Sequence, residues 1–166
     1  MTPPTLTLLV IDDEPQIRRL VQHALEAPGA ALLGDGDATA VRVLGAATAR
    51  EGIDLAAAEA PALIVLDLGL PDLPGVEVCR EIRQWSRAPI VVLSARHLDT
   101  EKATLLDAGA DDYVTKPFSP VEFVARVRAQ LRRARTPTAG GDAGAIITFG
   151  PWTVDLQRRR LERDGV

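Results

Sequence analysis

Three short apolar stretches constrain the fold of this chain more than any other feature. They occupy residues 6–11 (LTLLVI), 62–67 (ALIVLD) and 88–94 (APIVVLS), and they are rich in β-branched residues but lack strict apolar–polar alternation. Each is too short for a buried helix, and a strand that is covered on both faces needs no alternation. The three stretches therefore predict buried strands of a parallel sheet.

Amphipathic stretches follow these strands and indicate helices. The pattern predicts helices at residues 15–26, 49–58, 75–85, 100–107 and 120–133, and two weaker strands at 40–46 and 111–115. Five rounds of strand and helix are typical of an open α/β sheet with helices on both faces, and 2-1-3-4-5 is the common strand order at this length. We therefore expect a (βα)5 doubly wound parallel sheet.

The composition changes after residue 135. Residues 136–145 (TPTAGGDAGA) hold mostly Gly, Ala, Thr and Pro with one charge, which is typical of a flexible linker. Residues 146–166 alternate apolar and polar residues and predict two or three short antiparallel strands, too few to form a core of their own. We expect a main domain over residues 1–135, a linker over 136–145 and a short antiparallel β tail over 146–166.

One connection is unusually long. Residues 27–39 (APGAALLGDGDAT) separate the first helix from the second strand and are small or acidic for the most part. Connections in α/β units usually have about 2–6 residues. We expect this connection to be mobile, and its sequence indicates no role.

Charge and cysteine content exclude several classes of protein. The net charge of -4 and the pI of about 5.2 argue against a surface that binds nucleic acid all over, because phosphate contacts need a basic patch. The single cysteine, Cys79, cannot form an internal disulfide. No basic region precedes the first apolar stretch, which ends at Asp12 and Asp13, so it predicts neither a signal peptide nor a membrane span. We expect a soluble, cytoplasmic protein.

Acidic residues follow two strands that should be neighbours. Asp12 and Asp13 come directly after the first strand, and Asp67 ends the third. Ligands of a doubly wound sheet bind beyond the carboxyl ends of the strands where the strand order reverses, which is here between strands 1 and 3. Three carboxylates at that point would repel one another, so a cation is expected, and all-oxygen ligation suits Mg²⁺.

A hydroxyl and an ammonium group are predicted at the same edge. Ser94 ends the fourth strand and Lys116 follows the fifth. A carboxylate nucleophile with a metal, a lysine and a hydroxyl donor is the set of groups that in-line phosphoryl transfer requires. Asp67 stands alone on the central strand and is the best candidate nucleophile, while Asp12 and Asp13 are better used on the metal.

Four motifs, in order along the chain, resemble those of two-component response-regulator receivers. They are VIDDEP (10–15), LDLGLPDLPG (66–75), VLSAR (92–96) and GADDYVTKPF (109–118). The resemblance covers residues 6–135, and residues 146–166 resemble the opening strands of the winged-helix DNA-binding output domain of the OmpR/PhoB subfamily. It implies the flavodoxin-like receiver fold and a phosphoryl group accepted on Asp67 from a sensor histidine kinase. The phosphorylated chain would then control dimerisation and transcription. It would be a phosphoacceptor with at most self-phosphorylation and autodephosphorylation activity, and not an enzyme.

The resemblance also implies how the acidic residues divide their roles. Asp13 and Asp67 would bind Mg²⁺ directly, and Asp12 would help through water. The backbone carbonyl of Gly69 would supply another ligand to the metal. A backbone ligand of this kind needs no side chain at position 69.

The resemblance implies roles for residues on the later strands and helices as well. Lys116 would pair with the phosphoryl group, Ser94 would donate its hydroxyl to it, and Tyr113 would be the aromatic residue whose inward turn accompanies the switch. The Lys116-Pro117 peptide would be cis. Dimers would form through the face of helix 4, strand 5 and helix 5, with DNA bound by the output domain. The face carries three pairs of opposite charge: Lys102 with Glu122, Asp112 with Arg126, and Asp111 with Arg133.

Other interpretations of these residues stay open at this point. A Mg²⁺-dependent aspartyl phosphohydrolase of the haloacid-dehalogenase type would place two carboxylates two residues apart on strand 1, whereas Asp12 and Glu14 are followed here by the helix-starting Pro15, and no cap domain is inserted. A flavodoxin-like cofactor binder would need a phosphate-cradling loop after strand 1, which is missing. Asp12 could simply cap the first helix, and Tyr113 could simply pack against the sheet.

Overall fold

The computed structural model describes residues 4–27, 30–34, 39–95 and 99–135, together with three short strands in the tail. By its contacts the chain divides into two compact units, residues 1–131 and 132–166. The first unit holds a five-stranded parallel sheet in the order β2-β1-β3-β4-β5, which confirms the predicted fold class. The elements are β1 (Thr5–Ile11), α1 (Pro15–Glu26), β2 (Ala40–Ala46), α2 (Ala49–Glu59), β3 (Leu63–Asp67), α3 (Gly75–Arg83), β4 (Ile90–Ser94), α4 (Asp99–Asp107), β5 (Asp112–Thr115) and α5 (Pro120–Arg135).

Helices on both faces of the sheet explain why the apolar stretches do not alternate. Along β1, Leu8 and Val10 belong to one core cluster, which packs against α1 and α5, while Leu9 and Ile11 belong to the other, which packs against α2, α3 and α4. All residues of β3 and of β4 are buried. Burying an apolar side chain contributes about 1.5–3 kcal/mol, so both faces of a central strand stabilise the fold.

The tail forms the antiparallel strands that its alternation predicts. They are β6 (Ile146–Phe149), β7 (Trp152–Asp155) and β8 (Arg160–Arg163), paired in the order β6-β7-β8. The predicted linker over residues 136–145 lies outside the described residues.

Part of the long connection between α1 and β2 is packed into the protein. Ala30 and Leu32 are 5% exposed and belong to the same core cluster as α5. The carbonyl oxygen of Ala30 accepts hydrogen bonds from Nη2 of Arg128 at 2.6 Å and from its Nε at 3.3 Å. The expectation of a mobile connection therefore does not hold for residues 30–32, because two apolar side chains and a charged donor on α5 hold them.

Arg83 marks the end of α3, two residues before the predicted end. Its guanidinium donates to the carbonyls of Ser86 (3.2 Å), Ala88 (2.6 Å) and Gly109 (2.9 Å) and pairs with the Asp111 carboxylate at 2.6 Å. These bonds turn the chain away from the helix axis and tie it to the start of β5.

The single cysteine lies in the core. Cys79, on α3, is 0% exposed and packs in the cluster beneath α2, α3 and α4. Burial raises the pKa of its thiol to about 11. It is free of any disulfide.

Candidate functional site

Three carboxylates meet at the carboxyl edge of the sheet, where the strand order reverses. β1 and β3 pair in register, with Ile11 opposite Leu66, so the residues that follow them lie side by side. Asp12, Asp13 and Asp67 each place one carboxylate oxygen within 4.8 Å of the others. Asp12 is 0% and Asp67 5% exposed, whereas Asp13 faces solvent. The structure thus brings together the acidic residues that the sequence predicted to be neighbours.

Lys116 supplies the positive charge in this cluster. It follows β5 and reaches past β4, so that its Nζ donates to Oδ1 of Asp67 at 3.0 Å and to Oδ2 of Asp12 at 3.1 Å. A third carboxylate, that of Glu14, accepts at 3.3 Å. The Lys116 backbone N–H donates to the Ser94 carbonyl at 2.8 Å, which fixes the lysine beside β4. The peptide that follows, Lys116-Pro117, is cis, as the resemblance implied.

The ionisation of Asp12 and Lys116 shows how the charges balance. Burial raises the pKa of Asp12, and so does the nearby charge of Asp67. The hydrogen bond from the Glu14 N–H and the Lys116 ammonium lower this pKa, but the net change is a rise. Burial alone would lower the pKa of Lys116. The hydrogen bonds that its ammonium donates to Asp67 and Asp12, together with the negative charges of these carboxylates, outweigh burial and raise that pKa. The net rise at Asp12 therefore comes first from burial, which the Glu14 N–H and the Lys116 ammonium offset only in part.

A cavity of about 490 Å³ opens beside this cluster. Its polar lining combines strand-end residues with one residue of α4, and it includes Asp13, Asp67, Gly69, Ser94, Glu101 and Lys116. A β-carbon at position 69 would lie 3.4 Å from Oδ2 of Asp67, so the backbone there passes close to that carboxylate. Carboxylate oxygens, a nearby backbone segment and excess negative charge fit a hard divalent cation such as Mg²⁺.

Ser94 and Tyr113 lie on adjacent strands, with Ser94 at the carboxyl edge and Tyr113 two residues before the end of β5. Ser94 is 3% exposed and lines the cavity, and β4 and β5 pair so that Val92 is opposite Tyr113. Tyr113 is half-buried and packs against the core cluster of the α4 side. Nζ of Lys102, on α4, lies 5.1 Å from the centre of the Tyr113 ring, a cation–π contact.

The residues expected at a dimer face contact partners within the chain. Arg126 pairs with Asp112 at 3.1 Å and with Glu122, one helical turn away, at 3.0 Å. Hydrogen bonding to Glu122 and the Asp112 charge raise the pKa of this guanidinium. Asp111 accepts from Arg83 and from the backbone N–H of Ile90 at 2.8 Å through the same oxygen. Arg133, its expected partner, is exposed on α5.

Sequence reasoning missed two carboxylates and one guanidinium. Glu14 directly follows Asp13, and that adjacency could have suggested its contact with Lys116. Glu101 lies in a helix whose sequence has no clear apolar face, so nothing in the pattern indicated that it lines the cavity. Arg83 binds groups 3 to 28 residues away, and no sequence motif marks such a contact.

Comparison with known proteins places this geometry in a family. The family sequence model of the response regulator receiver domain matches residues 8–128 of this chain. The KDP operon transcriptional regulatory protein KdpE of Escherichia coli (strain K12) is 45% identical over 156 residues, which are 94% of this chain and 63% of that protein. KdpE of Mycobacterium tuberculosis (strain H37Rv) is 42% identical, with 95% and 64% covered. Residues 66–72 and 83–96 predict a likeness to the potassium-transport regulator KdpE in particular, and these matches confirm it.

Solved structures agree with this result. A Francisella response regulator receiver domain superposes with a TM-score of 0.68 at 28% identity, covering 78% of this chain and 99% of that one. The response regulator DrrB, a Thermotoga maritima OmpR/PhoB homolog, gives a TM-score of 0.63 at 30% identity. The match covers 97% of this chain and 64% of the DrrB chain. This chain thus spans a little under two thirds of the length of the curated relatives it matches. Among the helices described, none combines the length and the apolar character needed to cross a bilayer. The family match, the four motifs and the carboxylate edge of the sheet lead to one conclusion: the chain belongs to the response regulator receiver domain family.

Proposed function

We propose that this chain accepts a phosphoryl group from a sensor histidine kinase onto Asp67 and so acts as the receiver of a transcriptional regulator. The observation that carries the proposal is the pairing of Asp67 with Lys116 at 3.0 Å beside two further aspartates whose oxygens lie within 4.8 Å. A carboxylate nucleophile next to a fixed ammonium and a metal-binding acid pair is the arrangement that phosphoryl transfer needs.

The proposed transfer forms one bond and breaks one. A carboxylate oxygen of Asp67 attacks the phosphorus of a phosphohistidine on the kinase, the phosphorus–nitrogen bond breaks, and its electron pair returns to the imidazole. Lys116 pairs with a phosphoryl oxygen, because its ammonium is already held at the reacting carboxylate. Ser94 lines the same cavity and donates its hydroxyl to another oxygen. The product is an acyl phosphate on Asp67.

Mg²⁺ is the metal that these donors fit. Asp13 and Asp67 would bind it directly, with the backbone carbonyl of Gly69, while the buried Asp12 would act through water. The bound metal would neutralise charge on the phosphoryl oxygens. Asp12 suits an indirect role because the Glu14 N–H (2.9 Å) and Lys116 already use both of its carboxylate oxygens.

The output is proposed to be dimerisation through α4, β5 and α5, followed by DNA binding outside the receiver unit. The KdpE relatives are transcriptional regulatory proteins, and the tail strands β6 to β8 fit the opening of a winged-helix output domain. Between protomers, Lys102 would face Glu122 and Asp112 would face Arg126. Asp111 stays 41% exposed beside Arg83, so it remains accessible to Arg133 of a second copy. Such exposed pairs contribute about 0–1 kcal/mol each and would mainly set the register of the dimer.

The test is phosphorylation of the purified chain with acetyl phosphate and Mg²⁺, followed by intact mass and peptide mapping. We expect the mass of one phosphoryl group on the peptide that holds Asp67, no addition in Asp67→Asn, and normal addition in Asp54→Asn, an exposed aspartate of α2. Equal labelling of the Asp67 variant would overturn the acceptor assignment. Rapid turnover of small phosphoesters, without a labelled protein, would favour the aspartyl phosphohydrolase instead.

A further inference from the structure

Glu101 is a carboxylate in the cavity that the proposed function does not use. It lies in the first turn of α4 and lines the cavity together with Asp67 and Lys116. Its Oε2 is buried and has no hydrogen-bond partner among the residues that the structure describes. An unpartnered buried polar atom is rare in proteins, because its lost hydration is not compensated. The position of this oxygen calls for a functional explanation.

Among the described residues around the cavity, no cation pairs with Glu101. Asp13, Glu14, Asp67 and Glu101 line it with negative charge, and Lys116 is the one positive residue in the described part of that lining. The Lys116 ammonium already donates to Asp67, Asp12 and Glu14 at 3.0–3.3 Å. A carboxylate on α4 therefore faces a cavity in which negative charge exceeds positive charge.

The helix that carries Glu101 is lightly held. Of the nine residues of α4, Leu105 is the one that is fully buried, whereas α5 buries Phe123, Val127, Gln130 and Leu131. Elements with few buried contacts move at low free-energy cost. The residue after Glu101 is Lys102, whose ammonium lies over the Tyr113 ring. A movement of this first turn would therefore change the surroundings of Tyr113.

We propose that Glu101 is the positioning residue through which charge gained at Asp67 is transmitted to α4. The inference rests on the proposed function, because it needs a phosphoryl group on Asp67. That group replaces one carboxylate charge with about -1.5 to -2 charges. The added charge repels the Glu101 carboxylate, shifts the first turn of α4 and moves Lys102 relative to Tyr113. A charge that differs between two states in this way biases the equilibrium between them.

The experiment uses the only tyrosine of the chain as the reporter. Tyr113 is replaced biosynthetically by 3-fluorotyrosine, and its single ¹⁹F resonance is followed as beryllofluoride, a phosphoryl mimic, is added with Mg²⁺ to the full chain. We expect the resonance of the unmodified sequence to move. In Glu101→Gln, which keeps the shape but removes the charge, we expect a displacement smaller by about twofold or more, and in Glu101→Asp, which keeps the charge, a larger displacement than in the Gln variant.

Asp99→Asn is the matched control, because Asp99 is an exposed acid in the same helical turn and is not part of the cavity lining. On addition of beryllofluoride, the ¹⁹F resonance of this variant should move as far as that of the unmodified sequence. A Glu101→Gln response equal to that of Asp99→Asn would overturn the inference. Weaker Mg²⁺ binding by Glu101→Gln, measured by titration with Mg²⁺ alone, would also overturn it, since Glu101 would then serve the metal.

Failure of the inference and failure of the proposed function give different results. If acetyl phosphate does not label Asp67 in the unmodified sequence, the proposed function fails. If Asp67 is labelled normally in Glu101→Gln and in Asp99→Asn, but the ¹⁹F resonance of Glu101→Gln moves as far as that of the unmodified sequence, the function stands and only the role of Glu101 is lost.

Discussion

Lys116 and Asp67 pair at 3.0 Å although they are 49 residues apart and belong to the ends of β5 and β3, which are separated by β4. The same ammonium lies 3.1 Å from Asp12 at the end of β1. One side chain therefore connects the carboxyl ends of three strands. Its two main partners are almost completely buried, so solvent screens these contacts little.

Replacing Lys116 by alanine should lower the free energy of unfolding, and the loss should be larger without Mg²⁺ than with it. The change leaves Asp12 and Asp67 without their cation, and breaking a buried pair costs about 3–5 kcal/mol, which the partial access of solvent to Lys116 reduces to about 2–3 kcal/mol. Mg²⁺ should restore part of this loss. Urea unfolding in EDTA and in Mg²⁺ measures both values, and an equal loss in the two conditions would contradict the shared carboxylate site.

The same variant should separate phosphorylation from its output. We expect Lys116→Ala to be labelled in part by acetyl phosphate, because Asp67 and the metal-binding acids remain, but not to dimerise in response. Sedimentation of labelled and unlabelled protein gives the comparison. Dimerisation at the level of the unmodified chain would show that the ammonium is not needed for the switch.

Replacing Arg83 by lysine should destabilise the first unit by about 2–3 kcal/mol. The guanidinium serves three carbonyls and the Asp111 carboxylate at 2.6–3.2 Å, and an ammonium on a flexible stem cannot reach all of them together. Arg80→Lys is the control, because Arg80 is 56% exposed and pairs only with Glu77 in the described chain. Its change should stay within about 0.5 kcal/mol. Thermal unfolding measures the loss of stability in both variants, and similar losses in the two would refute the prediction.

Asp72 should make the stability of the protein depend on acid pH. Its carboxylate accepts from the backbone N–H groups of Arg50 (2.9 Å) and Ala49 (2.8 Å) at the start of α2, and these bonds lower its pKa below the usual 3.8. Because the folded state holds the ionised form, its contribution is full above pH 3.8 and is lost as the pH falls through the lowered value. The melting temperature of Asp72→Ala should be reduced at pH 7 and approach that of the unmodified chain at low pH.

Asp54→Ala, on the exposed side of α2, serves as the comparison for this pH series. It should show no comparable convergence at low pH. A difference between Asp72→Ala and the unmodified chain that is constant from neutral to acid pH would mean that the Asp72 charge does not stabilise the fold.

The sequence predicted the sheet and its acidic edge because both depend on local patterns. Strands such as β3 are apolar on both faces, and strand order then places the residues after β1 and β3 together. Lys116 could be placed at the same edge because it follows the fifth strand, although its contact with Glu14 was not foreseen.

Contacts that depend on how helices are rotated and where they end were not predictable. Asp111 was expected to face Arg133 of a second copy, yet within the chain its carboxylate binds Arg83, which the bend after α3 brings close. Glu101 enters the cavity only through the orientation of α4. Ala30 and Leu32 are small or common apolar residues in a stretch of mostly small residues, and their burial depends on the space left beside α5.

The buried Cys79 has a practical consequence for studying this protein. With a thiol pKa of about 11, about one molecule in ten thousand carries a thiolate at neutral pH, and that thiolate is enclosed by the core. Maleimide reagents should therefore leave the folded chain unmodified. A cysteine introduced on the surface of α4 or α5 would be the reactive one, so a spectroscopic probe could be attached at a chosen position without first removing the native residue.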